Sequence, residues 1–245
     1  MVREMSLSIN TKDYDSAEET HPFYKEMVSE MIRQITKRSK KRKLNVLEVG
    51  SGTGLFTKEL LRVENIEVDC IEIDEECFEY LIKRCVGKKV NLIEGDAVTY
   101  SKQGYYDIII SCFAHDHTSN FNNRLEFAKN LSRNLRKKGV YIVGQEIIPK
   151  FNDRGERRKS LRTFQGYIVW KAIQDGYEEV AGLELDSLKA AVKENGDWKR
   201  HMKMFEQEMD YGGLKEVFRK RIGPLDKEDV GGVYVFVYEK QDGKK

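Results

Sequence analysis

Three short stretches place glycines and acidic residues where they can hold a polar ligand. The first is VLEVGSGTG at positions 46–54, where Gly50, Gly52 and Gly54 alternate directly after an apolar run. On one face of a strand these glycines would have nothing to pack and would cost backbone entropy. The spacing therefore predicts a strand that ends near Val49, followed by a tight turn that lets a ligand come close to the backbone. Backbone N–H groups there, with the start of the next helix, favour an anionic group. Glu48 and Ser51 belong to the same stretch. The second stretch is CIEID at 70–74. An acidic residue at the end of a second strand can accept both hydroxyls of a ribose. Glu72, followed by Ile73, is the candidate; Asp74 competes, with an ordinary role as a helix N-cap. The third is EGDA at 94–97, where Asp96, beside Ala97, either takes an exocyclic amino proton from an adenine or serves as a turn residue.

Two further places could act on a second reactant. SCFAHDHT at 111–118 carries His115, Asp116 and His117. One histidine could be a general base, the trio could bind a metal, or the side chains could simply line and cap the loop. Glu146, in VGQEII, is either a carboxylate that orients or deprotonates the reactant or half of a buried ion pair. RGERRKSLRTFQGYIVWKAI at 154–173 adds a basic cluster, with Phe164, Tyr167 and Trp170 at three-residue intervals. That aromatic face is either core beneath a lid or a pocket for a flat reactant with an anionic group nearby.

The elements that must position these residues follow from hydrophobic patterning. Apolar runs at 44–50, 67–74, 90–97, 106–114 and 139–148 do not alternate, and amphipathic stretches separate them. This predicts a parallel sheet covered by helices on both faces. A helix is expected over 21–38, and another over 123–139 ending at Gly139. Residues 151–210 read as helical throughout, and 214–223 and 231–240 read as two closing strands, the last antiparallel. The chain thus divides into an N-terminal arm and helix (1–43), a core (44–150 and 211–245) and a helical insert (151–210) that would form a lid.

Composition narrows the function. The 43 basic and 41 acidic residues of the 245 nearly cancel, giving +2, which does not suit a dedicated nucleic-acid binder. The charges of the insert also nearly balance, so nucleic acid is not expected as a partner. The basic run KRSKKRK at 37–43 reads as a solvated helix end. A mean hydropathy of −0.62 and the lack of a long apolar run exclude a membrane span. The N-terminus has no apolar core of the kind a secretory signal needs. The four cysteines lack the close pairs of a zinc site, which fits reduced thiols in a cytoplasmic protein.

In their order and spacing, VLEVGSGTG, CIEID, IEGDA and YDIIIS resemble the class I S-adenosylmethionine-dependent methyltransferases. The resemblance covers about residues 44–148 and the two closing strands. It implies a Rossmann-like fold with a seven-stranded, mostly parallel sheet. It also implies S-adenosyl-L-methionine as cofactor, with the glycine loop (Glu48, Gly50, Ser51, Gly52, Gly54) on the methionine part. Glu72 would meet the ribose and Asp96 the adenine, with Ile73, Ala97 and Ser111 also binding the cofactor. Glu48 replaces the family's commoner aspartate. Leu55 opposes a dinucleotide fingerprint, which needs a small residue there. An Asn/Asp-Pro-Pro-aromatic motif is absent after the fourth strand, which counts against methylation of base amino groups or a glutamine amide. The expected enzyme methylates a small molecule, aromatic or anionic in character, with His115, His117 or Glu146 as catalytic candidates. Tyr14 and His21 of the arm would fold over the cofactor. A tRNA or protein methyltransferase, or a binding module without catalysis, is the alternative.

Overall fold

The computed structural model describes residues 11–118, 121–194 and 197–241. Its chain begins with α1 (Thr11–Thr20) and α2 (Tyr24–Ser39), then alternates through β1 (Leu44–Val49), α3 (Leu55–Leu60), β2 (Ile66–Glu72), α4 (Glu75–Cys85) and β3 (Asn91–Glu94). β4 (Tyr106–Cys112), α5 (Phe121–Asn134) and β5 (Leu135–Ile148) follow. Next come α6 (Arg154–Gln174), α7 (Glu178–Val192), β6 (Arg200–His201), α8 (Met202–Tyr211), β7 (Leu214–Gly223) and β8 (Gly232–Lys240). The main sheet runs β3-β2-β1-β4-β5-β8-β7, with β8 antiparallel to both neighbours.

The sheet has eight strands where seven were expected, because β6 pairs with β5. β4 leaves the edge of β5 at Gly144, and β6 takes it up again at Ile147 and Ile148. Residues 197–199 approach this pairing in extended form, within a stretch that had read as helix. The helix expected over 123–139 also stops early, at Asn134. Leu135 is fully buried opposite Tyr106, so the chain enters the ladder there, and Lys138 absorbs the irregularity at φ 59°.

Two apolar layers sandwich the sheet. On one side Met27, Met31, Phe56, Leu81, Phe164 and Ile168 pack on Val46, Ile110 and Val235. On the other, Phe127 and Leu131 of α5 and Phe205 and Met209 of α8 cover Leu47, Ile109 and Tyr141. α8, though contiguous with the insert in sequence, packs beside α5 and β7. Gly144 is what lets α2 lie flat on β5: a Cβ there would sit 2.5 Å from the Met27 sulfur and 2.7 Å from that of Met31. Gly144→Ala is therefore expected to destabilise the protein by about 1–3 kcal/mol, as overpacked cores do, in a urea titration. A change within error would mean that the two methionines yield. Among the described residues no helix is long and apolar enough to cross a membrane.

Candidate active site

At the carboxyl ends of β1 to β4 the layers part around a cleft of about 730 Å³, its open mouth included. Gly50 and Gly52, Glu72 and Ile73, and Asp96 and Ala97 line one side; Phe113, Ala114 and His117 line the other. The strand does end at Val49, and the backbone turns at once, Gly50 N and Ser51 N both donating to the Ile71 carbonyl, at 2.9 and 3.2 Å. Gly50 has φ +66°, and a Cβ on it would lie 2.4 Å from that of Ala114. Only glycine keeps the turn and the opposite wall this close.

Glu72 is held by three backbone N–H groups. Gly52 donates to Oε2 at 2.7 Å, and Ile73 and Asp74 donate to Oε1 at 2.8 and 2.9 Å. Burial raises its pKa, and those N–H groups oppose the rise. Asp74 sits outside the cleft and caps α4, accepting from Cys77 N at 3.0 Å. Asp96 accepts from Val98 N at 2.8 Å, which fixes it in the lining that it shares with Glu72.

Other expected residues lie behind this surface. Glu48 is under the turn, where its Oε2 accepts from the Thr57 hydroxyl at 2.7 Å and the Cys70 thiol at 3.4 Å. Burial pushes its carboxyl up to about 7. Ser51 and Ser111 are buried away from the cleft lining, and Gly54 packs against Leu81. The Tyr14 side chain lies outside the described residues.

The two histidines part company. Phe113 takes a left-handed conformation, φ 56°, and the short 3-10 turn Ala114–His117 then points His115 into the core. Its ring is fully buried against Phe127 and Phe205, with Nε2 3.3 Å from Glu208 Oε2 and Nδ1 3.2 Å from the Tyr141 hydroxyl. Burial lowers its pKa, so it stays neutral. His115 therefore cannot reach a reactant in the cleft, and the expectation of a base at this position is corrected. His117 does line the cleft, with Nδ1 3.5 Å from Asp197. Asp116 pairs with Arg200 at 3.1 Å. The trio diverges, and among the described residues no group of His, Cys, Asp or Glu is placed to hold a metal.

The aromatic face of the insert also divides. Phe164 is fully buried in the core, whereas Tyr167 and Trp170, tilted rings with centroids 5.5 Å apart, lie beside a separate hollow with Phe23, Pro224 and Lys227. No residue of that hollow lines the cleft, so these rings do not form the expected reactant pocket.

Over the carboxyl edge of the sheet, α1 crosses the glycine turn, where Asp15 pairs with Thr53 and Arg84. One turn later His21 meets Glu146, at 3.5 Å, and Glu184 of α7, at 3.4 Å. Glu146 also pairs with Lys199, a buried lysine that lies 3.5 Å from Asp197. Glu146 is thus in a buried ionic group beside the cleft. Lys199 and Arg200 were not expected here; the sequence signal against reading helix up to them is the Asn-Gly dipeptide at 195–196, a pair common in turns.

This group gives the fold a pH dependence. Burial and neighbouring carboxylates push Glu18 up to about 7 against the pull of His21. Burial opposes a charge on His21, but Glu184, Glu146 and Glu18 outweigh it and carry its pKa to about 9. Raised carboxyls favour the folded state while protonated and cost stability as they ionise. A raised imidazole stabilises below its ordinary pKa, and that contribution is lost as pH passes about 9. Glu18, Glu48 and His21 all act in one direction. The melting temperature should fall between about pH 6 and pH 9, and His21→Gln should flatten the upper part of that fall. A melting temperature that rises over this window would contradict the assignment.

Residues 46–139, from the first strand to the start of the fifth, match the family model described as a methyltransferase domain. The cleft, at the carboxyl ends of β1 to β4, lies almost entirely within the matched residues. A polyamine aminopropyltransferase from Lachnospira eligens is 32% identical over 148 residues, which are 52% of this chain and 50% of that protein. The chain therefore spans half the length of this curated relative. Among solved structures, the N-methyltransferase NodS from Bradyrhizobium japonicum, in complex with S-adenosyl-L-homocysteine, superposes with a TM-score of 0.61 at 13% identity, over 96% of this chain and all of that one. A SAM-dependent methyltransferase from Methanosarcina mazei gives 0.59 at 13% identity, over 84% and 96%. These likenesses show that the chain has the Rossmann-like methyltransferase fold.

Proposed function

We propose that the protein transfers a methyl group from S-adenosyl-L-methionine to a small-molecule acceptor by direct in-line displacement. The observation that carries this reading is Glu72, a carboxylate pinned by the Gly52 N–H at the mouth of the turn and lining the cleft with Asp96 and Ala97. The residues suit the donor. Gly50 and Gly52 offer open backbone to its methionine part, Glu72 two acceptor oxygens to its ribose, and Asp96 a carboxylate to its adenine. When bound, S-adenosylmethionine supplies a methyl group already activated by a sulfonium. What remains for the chain is to align the acceptor, exclude water and take a proton where the acceptor carries one. Phe113 walls the cleft opposite the turn, and His117, whose Nδ1 lies 3.5 Å from Asp197, is the side chain that would receive a proton there.

A small acceptor suits the surface better than RNA. The basic run 37–43 lies at the amino end of the strands, around Leu44 and Ile108, and the cleft opens at their other end. All four cysteines are unbridged, which supports a reducing compartment, the cytoplasm. The 32% identity to the aminopropyltransferase favours a second reading, in which an aminopropyl group is transferred instead. Incubation of a metabolite extract with methyl-labelled S-adenosylmethionine, and in parallel with decarboxylated S-adenosylmethionine as the aminopropyl donor, separates the two. Label in a small molecule is the expected result. Label in RNA or protein would overturn the choice of acceptor, and an unlabelled product that gains an aminopropyl group would favour the second reading.

A further inference from the structure

Behind Phe113 and His117, the buried ionic group at the end of β5 carries more negative than positive charge. Three carboxylates, Glu146, Glu184 and Asp197, surround two cations, His21 and Lys199, and Glu18, with its pKa raised to about 7, adds a fourth carboxyl. Asp116, also near Lys199, is neutralised by Arg200. Lys199 bonds only Oε2 of Glu146. Oε1 of Glu146 accepts no hydrogen bond, its nearest cation being His21 at 3.5 Å, and Oε2 of Glu184 accepts none either. Both oxygens are shielded from water, the Glu146 side chain being 5% exposed and that of Glu184 15%. Buried acceptors left empty are costly and call for a donor.

We infer that Glu18, Glu146 and Glu184 receive a positively charged amino group of the methyl acceptor. An ammonium has three N–H donors and no acceptor, which matches this surplus of carboxylate oxygens. It also matches the sign of the excess charge. A metal ion fits less well, since no described residues are arranged to ligate one. The place is right for an acceptor. The His21 ring stands edge-on to Phe113 at 5.6 Å, and Asp197 joins the group to His117, so it adjoins the cleft wall opposite the glycine turn. Glu18, on α1, is only partly covered, so the group reaches the surface on that side. Desolvated carboxylates here discriminate: an ammonium brings three donors and the opposite charge, a hydroxyl one donor and no charge, and a carboxylate no donor and the same charge.

The inference rests on the methyl-transfer reading, and the test keeps the two apart. The full chain, with and without saturating S-adenosylhomocysteine, is titrated calorimetrically with diaminobutane, butanediol and butanedioate. Diaminobutane alone should bind saturably, and Glu146→Gln and Glu184→Gln should each weaken it about tenfold or more with S-adenosylhomocysteine affinity unchanged. Glu184 lies at the lid and is partly exposed, so its variant carries the test if Glu146→Gln does not fold. Equal binding of diol and diamine, no diamine binding, or unaltered diamine binding in Glu184→Gln would overturn the ammonium site. Diamine binding by a chain that ignores S-adenosylhomocysteine would leave the site standing and overturn the methyl-transfer reading.

Discussion

Glu72→Ala is expected to weaken S-adenosylhomocysteine binding by about 2 kcal/mol, roughly thirtyfold, and by more than any single change in residues 151–210. Two losses combine. The carboxylate that would accept the ribose hydroxyls disappears, and three backbone N–H groups, of Gly52, Ile73 and Asp74, lose their acceptor together. The second loss loosens the glycine turn itself, so it also removes the preorganised backbone that the donor's methionine part would meet. Asp74→Ala is the control. It removes the cap on Cys77 N and should cost about 1 kcal/mol of stability while leaving affinity nearly intact. Calorimetry on both variants decides. If Asp74→Ala lowers affinity as much as Glu72→Ala, the ribose contact has been assigned to the wrong acid.

The largest stability effect should come from Arg200→Ala, about 3–5 kcal/mol in a urea titration. Arg200 is fully buried. Its guanidinium joins Glu208 at 2.9 Å, Asp116 at 3.1 Å and the Thr118 carbonyl and hydroxyl at 3.0 and 2.9 Å. Alanine would strand Asp116 with only Lys199, at 3.9 Å, while Glu208 would keep Arg124 and His115. The guanidinium also ties the 114–118 turn to α8, because Asp116 and Thr118 lie on one and Glu208 on the other. Its loss should therefore loosen the wall that carries His117. Arg200→Lys should recover little, since a single ammonium cannot make the forked contacts. A cost below about 1 kcal/mol for Arg200→Ala would show that the buried charges find water instead.

Much of the sheet was legible because strands buried on both faces read as unbroken apolar runs, as YDIIISCFA and VNLIEGDA do. The closing pair was legible for the opposite reason: GGVYVFVYEK carries the turn and edge signals of an antiparallel strand. Placing Glu72 on the cleft and Asp74 at a cap needed only the rule that an acidic residue directly before a helix caps it. What could not be read was direction. Adjacent residues in a turn point wherever its dihedral angles send them, and the left-handed Phe113 buries His115 while leaving His117 in the cleft. The insert failed for a related reason. A three-residue step falls about 60° short of a helical turn, so Phe164 and Trp170 end about 120° apart, one in the core and one outside. Lys199 and Arg200 were hidden because a two-residue strand has no period to detect.

The account stands most directly on which nucleotide the cleft accepts. The full chain should be titrated calorimetrically with S-adenosylhomocysteine and, separately, with NAD. The glycine turn with Leu55 at the start of α3, and Glu72 lining the cleft with Asp96, predict saturable binding of one S-adenosylhomocysteine per chain and no saturable heat from NAD. Saturable binding of NAD with none of S-adenosylhomocysteine would contradict it.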